Sequence, residues 1–225
     1  MGNSASKKNK EMSGKKEDNS NKVLLIHGWR TSGSILFTQT AAFRHHTEID
    51  VVKINAPWDA KGPPDEGIAE FYPDQPYYEW WAYEQDSDGK EIYTGHEKSL
   101  ESLETYLNQN GPFLGVLGFS QGATLTTLLA ELQQSKEKKW FKFVILIGGV
   151  PPISQYSNCA VLNIPNLHLI GTQDEHLPLC NLLTERYNPA QRKVLNYNEG
   201  HNIPSIRTNL YPEIKTWIQQ QRLQS

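Results

Sequence analysis

Residues 22–27, 50–54, 113–117, 143–147 and 167–171 form short, mainly apolar runs, and each ends close to a glycine or asparagine. Runs of this length without polar alternation read as strands buried on both faces, the kind that parallel sheets contain. Residues 192–197 read as a last strand of the same set. Between the strands the apolar positions change to helical spacing. Ile35, Leu36, Phe37, Ala41, Ala42 and Phe43 fit a helix over 34–46, and Leu100, Leu103 and Leu107 fit one over 98–110, stopped by Asn110-Gly111-Pro112. Further helices are expected over 123–134, after Pro178, and over 204–222, where Ile206, Leu210, Ile214, Trp217 and Ile218 would face the sheet. Strand and helix in alternation predict an α/β fold with a mostly parallel central sheet and helices on both faces.

Two stretches break this pattern. Residues 57–95 interleave Pro, Gly and acidic residues with Phe71, Tyr72, Tyr77, Tyr78, Trp80, Trp81, Tyr83 and Tyr93. An insertion of that length is expected to be a lid or binding loop, with its aromatics partly packing one another and partly lining an apolar pocket. Residues 1–21 hold no aromatic or branched aliphatic side chain, and they are dense in Ser, Asn and Lys. They are expected to form a disordered arm ahead of one folded domain over 22–225.

Composition narrows the function classes. A chain of 225 residues with 37% hydrophobic content can bury one substantial core. A net charge of −3 does not favour nucleic acid as a partner. Cys159 and Cys180 lack metal-site spacing, and no hydrophobic leader opens the sequence, so a cytoplasmic setting is expected. No apolar run approaches the roughly 18 residues that crossing a bilayer requires. The arm begins with Met-Gly-Asn-Ser-Ala-Ser, which fits the acceptor pattern for N-myristoylation at Gly2. Lys7, Lys8, Lys10, Lys15 and Lys16 follow. One lipid chain holds a membrane only marginally and a basic cluster supplies a second signal, so peripheral attachment is expected; a solvated, charged tail is the plainer alternative.

The chemistry concentrates at Gly118-Phe119-Ser120-Gln121-Gly122, between an apolar strand and a helix-forming segment. This is the spacing of a nucleophile elbow, in which a sharp turn lifts the serine hydroxyl above the sheet edge. A serine there needs a base and an acid in the chain order Ser, Asp, His. Asp174 lies just past the strand 167–171, with a helix N-cap as its plainer role. His201 lies in the Gly-His loop after the last strand. The backbone N–H groups of Gln121 and Trp29 are the candidate oxyanion donors, with Arg30 second to Trp29. His27 reads as a strand-end histidine with a hydrogen-bonded ring. His176 reads as too near Asp174 in sequence to face the nucleophile, and His45, His46, His96 and His168 as surface or strand residues. Trp80, Trp81 and Phe119 are the candidate pocket residues. No cofactor or metal is required.

Leu25-Ile-His-Gly28, the Trp80-Trp81 region, Gly111-Pro-Phe113 leading into Gly118-Phe-Ser-Gln-Gly122, and Gly200-His201-Asn-Ile-Pro204 together resemble the FSH family of serine hydrolases. That small α/β-hydrolase group includes ovarian-tumour-suppressor-like esterases. The resemblance spans about residues 22–220 and implies carboxylic-ester hydrolysis by Ser120, Asp174 and His201. The lysine-rich arm is not part of the family pattern. Cleavage of acyl-thioesters, or of lipid esters at a membrane surface, is the alternative among enzymes. A membrane-tethered scaffold that keeps the fold without catalysis is the alternative outside them.

Overall fold

Strands that are apolar on both faces must be covered on both faces, and the architecture follows from that requirement. A computed structural model describes residues 17–223 apart from 86, 90, 154–156 and 158–160; Gly2, Lys7, Lys8 and Lys10 lie outside the described residues. The chain opens with β1 (Lys22–Ile26), α1 (Gly33–Gln39), α2 (Ala41–Thr47) and β2 (Asp50–Lys53). The insertion contains β3 (Trp58–Asp59), α3 (Glu66–Phe71), β4 (Tyr78–Glu79), β5 (Ala82–Gln85) and β6 (Glu91–Thr94). Then come α4 (His96–Asn110), β7 (Phe113–Phe119), α5 (Gln121–Ser135), β8 (Phe141–Ile147) and β9 (Asn166–Gly171). The chain closes with α6 (Leu177–Thr184), β10 (Arg192–Tyr197) and α7 (Tyr211–Leu223).

The main sheet has six strands in the order β10-β9-β8-β7-β1-β2, every neighbouring pair parallel. Alternate residues of each strand serve opposite faces. Leu24, Ile26, Val116, Val144 and Leu146 pack with Leu125 and Leu129 of α5 and Leu103 and Leu107 of α4. Val23, Leu25, Phe143, Ile145, Leu167 and Leu169 pack on the other face with Leu36, Phe43, Ile214 and Trp217. Burying each such side chain contributes about 1.5–3 kcal/mol relative to leaving it in water.

Strand order reverses between β1 and β7, since the chain leaves β1 towards β2 and leaves β7 in the opposite direction. A crevice beyond the carboxyl ends of the strands at such a reversal is where open α/β sheets bind ligands. Ile26 pairs with Gly118 at the end of that ladder. The next residues of the two strands, His27-Gly28 and Phe119-Ser120, therefore emerge side by side.

The structure departs from the expected helices in two places. The helix expected over 34–46 is two helices that meet at Thr40 (φ −86°, ψ 10°), whose backbone N–H and hydroxyl both donate to the Leu36 carbonyl. The helix expected from Pro204 begins only at Tyr211. Asn209 adopts a left-handed conformation (φ 55°), which breaks the helix, and Ile206 is exposed instead of facing the sheet. The insertion forms two short antiparallel pairs, β3 with β4 and β5 with β6, beside α3.

Candidate active site

Ser120 follows the last residue of β7 and precedes the first residue of α5. Its backbone is strained, with φ 54° and ψ −122°. A non-glycine residue held this way costs about 1–3 kcal/mol, which the surroundings must offset. They do so by fixing both sides of the turn: Ser120 N–H donates to the Ile147 carbonyl of β8 at 2.9 Å, while the Ser120 carbonyl accepts from Ala123 N–H at 2.9 Å. The flanking glycines are required by close approach. A Cβ on Gly122 would lie 2.1 Å from the Ile26 carbonyl oxygen, and one on Gly118 would lie 2.4 Å from the Gly122 carbonyl oxygen. The tight turn therefore sets the N-terminus of α5, with its unsatisfied N–H groups and positive dipole end, directly behind the serine.

Asp174 and His201 come from the loops after β9 and β10, strands that pair over their whole length. His201 Nδ1 lies 2.7 Å from Asp174 Oδ2. Asp174 Oδ1 accepts from the His176 backbone N–H at 2.8 Å, and the Cys180 thiol lies 4.0 Å from Oδ2. The carboxylate is 1% exposed, and such a buried charge is tolerable only when donors meet it. Asp174 is not the N-cap of α6, which is His176 and has no side-chain cap bond; one Asp174 oxygen instead holds the turn before the helix and the other meets the imidazole. Burial, with the Asp174 charge beside it, pushes the Cys180 thiol up to about 12, so it stays a protonated donor. The histidine loop is braced from below, since Ser205 donates through N–H and Oγ to Glu199 and Tyr197 donates to the Asn202 carbonyl.

His201 reaches the elbow through two contacts. Its ring packs against Phe119 with centroids 5.1 Å apart. It also covers Gly148, where a Cβ would lie 2.8 Å from Cε1 and where φ is 57°. Among the described residues no hydrogen bond joins Ser120 Oγ to His201; such contacts commonly tighten only in the reacting complex. A hydroxyl beside an imidazole that a carboxylate orients can attack an acyl carbon, because the ring removes the proton that makes serine a poor nucleophile.

A cavity of ≈ 640 Å³ opens beside Ser120 and Gln121. Trp81, Tyr83 and Tyr93 of the insertion wall one side, and Leu128, Leu179 and Leu182 of α5 and α6 line it as well. Trp29 borders it next to the serine. Of the three pocket residues expected from sequence, only Trp81 lines the cavity. Trp80 is 1% exposed and points into the core, where its indole N–H donates to the His27 carbonyl at 2.8 Å. Phe119 is buried behind His201, because it is the last inward residue of β7.

His27 is structural. Its Nε2 accepts from Ala56 N–H at 3.0 Å, which leaves the proton on Nδ1, 2.8 Å from the Gly28 carbonyl. Burial lowers its pKa to about 4, so the ring stays neutral. His176 lies in the turn in which Leu177 N–H donates to the Asp174 carbonyl, and its ring lines the cavity edge-on to His201 with centroids 5.5 Å apart. His96, expected as a surface or strand residue, is buried at the start of α4 and also lines the cavity.

Sequence reading missed the side chain of Gln121. Its Oε1 accepts from Trp80 N–H at 3.0 Å and its Nε2 donates to the Trp81 carbonyl at 3.0 Å. It also missed Leu179 and Leu182, which are 46% and 48% exposed where the cavity opens. The signal available was a helix, Leu177–Thr184, without a single charged residue. Among the described residues, no group of His, Cys, Asp and Glu side chains could hold a metal ion, and no helix is long and apolar enough to cross a membrane.

An all-parallel sheet with serine, aspartate and histidine in that chain order past the carboxyl ends of its strands is the arrangement of the α/β-hydrolases. Its backbone resembles a carboxylesterase from Mesorhizobium loti, with a TM-score of 0.59 and 17% identity over 91% of this chain and 90% of that chain. The serine hydrolase (FSH1) family model matches residues 12–211, and the chain belongs to that family. It is similar to Esterase FPY3 of Fusarium mangiferae, 29% identical over 205 residues that span 82% of this chain and 89% of that protein. Esterase OVCA2 of Danio rerio is 29% identical over 211 residues, 84% of this chain and 92% of that protein.

Proposed function

We propose that this serine hydrolase cleaves carboxylic esters through an acyl-enzyme at Ser120. The observation that supports this most directly is the 2.7 Å hydrogen bond between His201 and the buried Asp174 carboxylate, at the same sheet end as a strained serine that lines an apolar cavity. His201 accepts the Ser120 proton as the hydroxyl attacks the acyl carbon, and Asp174 holds the Nδ1–H tautomer and stabilises the imidazolium. The N–H groups of Gln121 and Trp29 meet the oxyanion; one such donor is typically worth about 10²–10³ in rate. His201 then gives the proton to the leaving alcohol. Water repeats the sequence to release the acid and regenerate Ser120.

The acyl group sits among Trp81, Tyr83, Tyr93, Leu128, Leu179 and Leu182, which favours medium or long chains over acetyl. The cavity volume falls within the roughly 300–1,000 Å³ of small-molecule sites. The insertion over 57–95 acts as the lid of this pocket. Gly2 carries a myristoyl group, and with Lys7, Lys8 and Lys10 it holds the enzyme at the cytoplasmic face of a membrane.

A fluorophosphonate probe tests the central assignment. It labels the wild-type protein covalently and fails to label Ser120→Ala. Equal labelling of both would remove Ser120 from the reaction, and labelling of neither would favour a scaffold without catalysis.

A further inference from the structure

The two expected oxyanion donors come from segments far apart in sequence, the turn after β1 and the first residue of α5, yet both meet one dipeptide. Trp80 N–H donates to Gln121 Oε1, and the Trp81 carbonyl accepts from Gln121 Nε2, each at 3.0 Å. The Trp80 indole N–H donates to the carbonyl of His27 at 2.8 Å, two residues before Trp29. The dipeptide is itself held, because the Ser99 hydroxyl donates to the Trp80 carbonyl and Trp80 is 1% exposed. Just before it, Tyr78 N–H donates to the Thr31 carbonyl at 2.7 Å, and buried Glu79 pairs with Arg30 at 3.2 Å.

We propose that the side-chain amide of Gln121 is a positioning residue for the oxyanion hole, fixing the N-terminus of α5 against the 27–29 turn through Trp80 and Trp81. The amide is bonded in both senses, as an acceptor and as a donor, so it has one orientation; a flip would set N–H against N–H and carbonyl against carbonyl. Because Gln121 is the first residue of α5, a tether on its side chain limits rotation of the peptide whose N–H meets the oxyanion. A donor fixed before the reaction needs no reorganisation as charge develops, and small displacements of such groups are costly. The alternative use of the same bonds is to hold the insertion against the domain with no consequence for the chemical step.

The inference rests on Ser120 as nucleophile, and the test separates the two. Gln121→Met keeps an unbranched chain of similar length and the backbone N–H while removing both side-chain hydrogen bonds. Its kcat on a chromogenic ester should fall about tenfold to a hundredfold with KM within about twofold, the sign of an interaction that matters in the transition state. Affinity for an alkyl boronic acid, which forms a tetrahedral adduct, should fall by the same factor. Gln121→Glu keeps an acceptor for Trp80 N–H but turns a carboxylate oxygen towards the Trp81 carbonyl, and should lose at least as much. A lowered melting temperature with wild-type kcat and boronate affinity would overturn the inference and leave a purely structural tether. A raised KM with unchanged kcat would overturn it as well, since the side chain would then act on substrate through the cavity. Wild-type protein inert to both ester and fluorophosphonate would instead overturn the assignment of Ser120, and this inference with it.

Discussion

Replacing Asp174 by Asn leaves the shape of the site almost unchanged and reverses the direction of one hydrogen bond. Asp174 Oδ1 accepts from His176 N–H at 2.8 Å, and Oδ2 faces His201 Nδ1 at 2.7 Å. An asparagine amide placed there must keep its oxygen towards the His176 N–H, because the opposite orientation would set NH₂ against a backbone donor. Its NH₂ then points at Nδ1, which must offer a lone pair, and the ring proton moves to Nε2. An imidazole in that tautomer has no lone pair for the Ser120 proton. The expected loss is about 10⁴ in kcat, roughly 5 kcal/mol of barrier, with KM little changed. Steady-state hydrolysis of a soluble ester, beside thermal melts of the same preparations, provides the measurement. Glu175→Gln is the control, since Glu175 is exposed and lies 3.9 Å from His176, and it should retain activity. A turnover of Asp174→Asn within about tenfold of wild type, in a folded protein, would refute this account of the tautomer.

The cavity wall predicts that kcat/KM rises from acetyl to octanoyl esters by up to about fourfold per methylene, equivalent to about 0.8 kcal/mol. A flat or falling series would show that Trp81, Tyr83 and Tyr93 form structure and not a pocket. His27 and His168 are held by burial at about 4 and about 3, below the ordinary 6.5. The unfolded chain takes up these protons first, so stability falls as pH drops from 6.5 towards 4, by up to about 3 kcal/mol from His27 alone. Urea titrations between pH 7 and pH 4 measure this, and an unchanged midpoint would contradict it. Gly2→Ala should release the protein to the soluble fraction while ester hydrolysis by the folded domain survives; wild type that takes up no myristate label and is wholly soluble would reduce the arm to a solvated tail.

The central strands were legible because burial on both faces leaves uninterrupted apolar runs, as in Phe143-Val144-Ile145-Leu146-Ile147, all buried. Ser120, Asp174 and His201 stood out for a different reason: each follows a strand at its carboxyl end, and there a polar residue interrupts a core pattern. The helices were less legible at their ends. The break at Thr40 is a local departure of the backbone (ψ 10°), and the apolar spacing runs through it without a trace. The late start of α7 has a related cause, since the segment before it is engaged with the histidine loop: Ser205 bonds Glu199 and Tyr211 bonds the Pro204 carbonyl.

The harder information was which way a side chain points where regular spacing stops. Trp80 and Trp81 are adjacent and identical in type, yet one is a core residue that anchors His27 and the other borders the cavity. Both lie in the bend between β4 and β5, where strand alternation assigns neither of them a face, so the sequence does not say which one turns inward. The dipeptide is held by the Gln121 side chain, whose Oε1 accepts from Trp80 N–H and whose Nε2 donates to the Trp81 carbonyl. The glutamine inside the elbow motif therefore holds the backbone of both tryptophans, one in the core and one at the cavity. His176 follows the same logic. From sequence it reads as too near Asp174 to face the nucleophile; the bond from its backbone N–H to Asp174 Oδ1 folds those residues back on themselves, and the ring lies in the cavity wall beside His201.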